Sequence, residues 1–61
     1  MTSRELIRIG RKLWGDHGWQ KTMAASLQVD ASTIRRWIAA NHIPPTAALA
    51  LKYLEEEFDR S

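Results

Sequence analysis

Between Gln20 and Ile38 the chain reads QKTMAASLQVDASTIRRWI, two short periodic apolar runs with a break between them. In the first, Gln20 to about Gln28, residues Met23, Ala24 and Leu27 fall on one side at i, i+1 and i+4 spacing. In the second, about Ala31 to Ala40, Ile34, Trp37 and Ile38 do the same. The break is Val29-Asp30, where Asp30 stands as an N-cap whose carboxylate can accept from the free amides opening the next helix. Two helices that cross steeply after so short a turn need a small residue at their contact, which Ala24 supplies. Ile34 and Trp37 are expected to bury against Ala24 and Leu27. The pattern is a helix-turn-helix. It leaves Ala31, Ser32, Arg35, Arg36 and Ala39 on the outside of the second helix, a face that is small at its start and then carries two adjacent guanidiniums. Such a face suits insertion into a DNA major groove.

The same residues resemble the helix-turn-helix of small phage and bacterial repressors of the Cro/C1 (XRE-like) type. Gln20 opens the first helix, Ala24 follows four later and Leu27 three after that; Val29 sits in the turn. Thr33-Ile34 and Arg36-Trp37 follow in the second helix, and Ile43-Pro44-Pro45 leads into a Leu/Ala-rich helix. The resemblance covers roughly residues 18 to 54. It implies an all-α fold, a compact four-helix helix-turn-helix domain that is lambda-repressor-like. It also implies a mobile-element regulator of its own short operon, including the operons that encode anti-CRISPR proteins. Two positions depart from the family pattern. Gln28 stands where the turn usually has glycine, and a non-glycine residue in the left-handed region costs about 1 kcal/mol. Ala40-Asn41 replaces the glycine that often ends the recognition helix, a place Asn41 can fill itself.

A chain of 61 residues is one small domain, and at this size only about 60% of the unfolded surface is buried. Without cysteine there is no disulfide and no thiolate metal site, and no cofactor or small-molecule ligand is expected. The longest apolar run is interrupted by Lys52 and is far shorter than a membrane span, and no signal peptide is visible. A soluble, cytoplasmic location is expected. The net charge of +2 is unevenly laid out. Residues 1 to 54 carry eight Lys and Arg against three acids, a balance of +5. Residues 55 to 61 carry Arg60 against Glu55, Glu56, Glu57 and Asp59, a balance of −3. A basic body with an acidic end fits one face that meets phosphates and a far end that does not.

In chain order, Thr2-Ser3-Arg4-Glu5 reads as a capping box that opens a helix to about Trp14. Leu6, Ile9 and Leu13 form its apolar stripe, flanked by Ile7 and Trp14, with Arg4, Arg8, Arg11 and Lys12 as an opposite basic ridge. Gly10 inside it either costs about 1 kcal/mol or admits another helix closely. Gly15-Asp16-His17-Gly18 is a turn, and Trp19 is expected to pack as an apolar lid before the helix at Gln20. A last helix, 45 to 58, begins at Pro45 and has Ala47, Leu51, Leu54 and Phe58 as its inner face. Leu49 and Tyr53, with Glu56 beside them, form a second face read as a homodimer contact, with packing against the first helix as the alternative.

These readings combine into a division of labour on double-stranded DNA. Arg8, Arg11, Lys12, Gln20, Lys21, Thr22 and Thr33 are the expected phosphate contacts. Ala31, Ser32, Arg35 and Arg36 are the expected base readers: an arginine bidentate to guanine, Ala31 against a thymine methyl. One such helix reads few base pairs, so a two-fold dimer on an inverted repeat is expected, acting as a repressor that blocks transcription. An excisionase-like architectural protein is an alternative, since residues 32 to 38 and Ile43-Pro44 also resemble that family, which follows the recognition helix with a β-wing. A helical interaction module, an antitoxin or adaptor, is another; it calls for an acidic or apolar outer face where this chain has Arg35 and Arg36. No enzyme is expected: His17 and His42 stand in loops with no partner at catalytic or metal-ligand spacing.

Overall fold

The computed structural model describes residues 1–61 as four helices and no strand: α1 (Ser3–Trp14), α2 (Trp19–Leu27), α3 (Ala31–Ala40) and α4 (Pro45–Arg60). The fold is all-α. No helix is long and apolar enough to cross a membrane.

α1 begins where the Thr2 hydroxyl accepts from the Glu5 amide at 3.2 Å. Only that half of the expected capping box forms; the Glu5 carboxylate makes no bond back to Thr2. Leu6 and Ile9 are buried, Ile7, Leu13 and Trp14 are half-buried, and Arg4, Arg8, Arg11 and Lys12 are exposed. α2 starts one residue earlier than the spacing suggests. Gly18 takes φ 76 and ψ 5, a left-handed conformation open to glycine, and turns the chain directly into the helix at Trp19. The indole is buried and lies over Gly10 of α1, where an added Cβ would stand 2.8 Å from Cδ2 and Cζ3 of the ring. Gly10 is therefore a close-approach glycine. Burying about 150–250 Å² of aromatic surface, at about 25 cal/mol per Å², outweighs the roughly 1 kcal/mol that glycine costs a helix.

The turn after α2 keeps the left-handed geometry with glutamine in it. Gln28 has φ 59 and ψ 43; its amide donates to the Ala25 carbonyl and the Val29 amide to the Ala24 carbonyl. This Schellman pair satisfies two helix-end carbonyls, against a cost of about 1 kcal/mol for the side chain. The end of α3 repeats it, with Asn41 at φ 51 and the Asn41 and His42 amides donating to the Ile38 and Trp37 carbonyls. Asn41 does more: its Oδ1 accepts from the Ser3 amide at 2.8 Å, tying the end of α3 to the start of α1. At the N-terminus of α3, Asp30 occupies the cap position with extended backbone, but its carboxylate makes no capping bond. The expected side-chain cap is thus corrected to a backbone one, the Asp30 carbonyl accepting from the Thr33 amide at 2.9 Å.

α1 is the hub, packing on each of the other three helices, while α2 packs densely on α3. The core takes Leu6 and Ile9 from α1, Trp19, Met23 and Ala24 from α2, and Ile34 from α3. Ile43 of the connecting loop, with Ala47 and Leu51 of α4, closes it. Leu27 and Trp37, expected to bury at the α2–α3 crossing, are half-buried and pack against this core, as does Leu54. α4 opens with Pro45 in its first turn, where the missing amide costs nothing, and runs to Arg60 rather than 58. Phe58 is 48% exposed, which corrects its assignment to the inner face. It shares the direction of Leu51 at seven-residue spacing, but the last buried position of α1 is Gly10, so no core lies beneath it.

Candidate nucleic-acid interface

The outer face of α3 presents Ser32, Arg35, Arg36 and Ala39 to solvent, with Ala31 half-buried at its start. The register follows from Ile34: once that side chain is fully buried, residues 32, 35, 36 and 39 are turned outward. Arg35 makes no hydrogen bond or ion pair within the chain, and Arg36 only a 3.2 Å hydrogen bond from Nη2 to the Thr33 hydroxyl. That bond holds the Arg36 guanidinium along its own helix without consuming its charge. Thr33 accepts there and is half-buried, which leaves its hydroxyl proton free to donate to an acceptor such as a phosphate oxygen.

The start of α2 adjoins this face. Gly18 offers no side-chain cap and the first turn contains no acid, so the amides of Trp19, Gln20 and Lys21 have no intrahelical acceptor. A hollow of about 270 Å³ is lined by Asp16, His17, Gln20 and Lys21 on one side and Ala31 and Arg35 on the other. Gln20 and Lys21, expected from sequence to meet phosphate, are thereby brought together with Arg35, expected to meet base edges. Lys21 has no carboxylate partner. The neighbouring Thr22 is exposed, and its hydroxyl donates back to the Gly18 carbonyl at 3.3 Å. Free amides, a helix dipole and the cations Lys21 and Arg35 make this hollow suited to an anion, the Asp16 carboxylate that also lines it being paired with Arg11.

The ridge on α1 is in a different state. Arg8 forks onto Glu55 of α4, Nη1 to Oε2 at 2.7 Å and Nη2 to Oε1 at 3.5 Å. Lys12 Nζ meets the same carboxylate at 3.1 Å and Asp59 at 2.8 Å. Arg11 Nε donates to Asp16 at 2.9 Å. Successive turns of α1 thus meet successive turns of α4, so these segments run parallel. The acidic end of the chain, read from sequence as a far end, folds back onto α1. Its electrostatic mark is mutual. Hydrogen bonds from Arg8 and then Lys12 hold the Glu55 carboxyl below the usual carboxylate value. Hydrogen bonding to Asp59 and then Glu55 raises the Lys12 ammonium, and the Glu55 bond raises the Arg8 guanidinium. Arg8, Arg11 and Lys12, the phosphate contacts expected from sequence on this ridge, therefore each have a carboxylate partner in this structure.

On α4, Leu49 and Tyr53 are 69% and 61% exposed and do not pack on α1; Glu56 is exposed beside them. An open apolar groove of about 350 Å³ runs next to this face, lined among others by Leu27, Val29, Trp37, Ala47 and Ala50. Sequence periodicity did not signal the groove, because its walls come from three elements and the turn. His17 and His42 are exposed. No family model, curated protein or solved structure matches this chain.

Proposed function

We propose that this chain is a sequence-specific DNA-binding transcriptional regulator, a homodimeric repressor that lays α3 in the major groove of an inverted-repeat operator. One observation carries the reading. The outer face of α3 holds two arginines without carboxylate partners, beside uncapped amides and Lys21 at the start of α2. Arg36 or Arg35 reads guanine through a bidentate pair, Ser32 takes a second base edge and Ala31 meets a thymine methyl. Gln20, Lys21 and the α2 amides hold phosphate and fix the register. The resemblance to Cro/C1-type repressors supports the same reading. The excisionase-like alternative needs a β-wing after the recognition helix, where this chain has the loop 41–44 and then α4.

A dimer through Leu49, Tyr53 and Glu56 would place two α3 helices on half-sites about one DNA turn apart. The exposure of both apolar side chains supports it. The test is a selection of bound sequences from a random duplex pool with wild type and Arg36→Ala. A two-fold symmetric motif whose preference relaxes in both half-sites with the variant is the expected result. Absence of any enriched motif, with weak binding indifferent to the substitution, would overturn the reading in favour of a protein-interaction module. Sedimentation of Leu49→Asp and Tyr53→Asp tests the dimer separately; both are expected to be monomeric.

A further inference from the structure

The ridge of α1 carries Arg4, Arg8, Arg11 and Lys12 around a shallow hollow floored by Ile7, and Arg4 has no partner there. Arg4, Arg8 and Lys12 recur at i, i+4 and i+8, one line of cations along about 12 Å of helix. Glu55 and Asp59 close the upper part of that line by bonding Arg8 and Lys12 with carboxylate oxygens. Beyond Leu54, nothing else holds the end of α4. Residues 56 to 61 are all exposed, Phe58 has no core beneath it, and Glu55 contacts α1 through its charge. The Arg8 and Asp59 side chains are more than half exposed and that of Glu55 17%, so the pairs are open to solvent on one side and partly screened by salt, and another dense array of anions can compete for the cations. The ridge also adjoins the face described above. Arg11 lines the α1 hollow and bonds Asp16, and Asp16 lines the hollow shared by α2 and α3.

We propose that the α1 ridge is a second phosphate-binding surface for duplex DNA, held closed by Glu55 and Asp59 of α4, which occupy Arg8 and Lys12 in place of phosphates. The proposal takes its ligand from the DNA reading above and does not depend on which bases α3 reads. When the two carboxylates leave, Arg4, Arg8 and Lys12 form one continuous line of unpaired cations, Arg11 beside it stays paired with Asp16, and α4 beyond Leu54 is released to solvent. In the closed state the protein binds through α2 and α3 alone.

The experiment is the salt dependence of binding to a random-sequence duplex. Each phosphate neutralised contributes about −0.9 to the slope of log K against log salt. Glu55→Gln with Asp59→Asn is expected to steepen the slope by up to about 1.8 and to raise affinity at low salt. Adding Arg8→Gln and Lys12→Gln to that pair should return the slope to the wild-type value. Asp59→Asn alone leaves Glu55 bonded to both Arg8 and Lys12 and should give well under half the change, and circular dichroism of each variant guards against loss of folding. Glu56→Gln with Glu57→Gln removes the same charge from carboxylates that do not touch α1. An equal effect in this control would overturn the gate and leave only bulk charge. An unchanged slope in the first pair, or no binding by any of these proteins at low salt, would overturn it too. Loss of sequence preference in Arg36→Ala bears on α3 alone and leaves the ridge standing.

Discussion

The two basic faces of this molecule are alike in composition and opposite in state. On α1, Arg8, Arg11 and Lys12 each hold a carboxylate; on α3, Arg35 and Arg36 hold none. Counting cations along the sequence would rank α1 first. Pairing reverses the rank, because a guanidinium already forked onto a carboxylate must give up that bond before it meets a phosphate. A cation's availability depends on what the fold places within about 4 Å of it, and on how cheaply that neighbour leaves.

The faces can be compared first by removing what they stand on. Ile34 beneath α3 and Leu6 beneath α1 are both fully buried. Alanine at either is expected to cost about 2–5 kcal/mol, a large share of the roughly 3–9 kcal/mol available to a domain of this size. Urea unfolding checks it, and similar losses at the two sites would show that the faces differ in charge and not in anchoring. The next effect is on DNA. Arg36→Ala is expected to lose about 1–3 kcal/mol of discrimination between the preferred and a mismatched site, read by competition binding. Arg8→Ala should leave that discrimination unchanged, and a comparable loss there would erase the contrast.

Smaller effects follow at the turns that set α3 in place. Gln28→Gly should add about 1 kcal/mol of stability, raising Tm by about 4–8 °C, because the left-handed strain is removed. Asn41→Gly should gain nothing, since the Asn41 bond to the Ser3 amide is lost with the side chain. The smallest effect is that of the α1–α4 ion pairs. Glu55 titrates below its ordinary value of 4.5, so its contribution is fully present above that pH and fades as pH falls through the lowered value. The Tm difference between wild type and Glu55→Gln is expected to be under about 5 °C at pH 7 and to vanish at the acid end. A difference that persisted in acid would mean that packing, not charge, joins α1 to α4.

Much of this architecture was legible from residue types alone. Thr2, Pro45 and the left-handed Gln28 and Asn41 mark helix ends through local backbone chemistry, which needs no tertiary information. The stripe Leu6–Ile9 and the pair Met23–Ala24 likewise name the core, because 3.6-residue periodicity fixes one face of a helix. The outer face of α3 followed from the inward turn of Ile34. Periodicity was misleading at Phe58, which has the correct phase but nothing beneath it. Asp30 shows the same limit for capping, a residue at the right position whose carboxylate stays in water.

What the sequence by itself determined is the set of four helices, most of their ends and, Phe58 apart, the main inward positions, since each depends on interactions within a few residues. Only the tertiary structure decided which charges are free. Arg8 meets Glu55 across 47 residues and Lys12 meets Asp59 across the same distance, and Trp19 finds Gly10 on another helix. Such pairings depend on how helices lie against one another, and Coulomb energy falls off too steeply with distance in water for charge order along the chain to encode them.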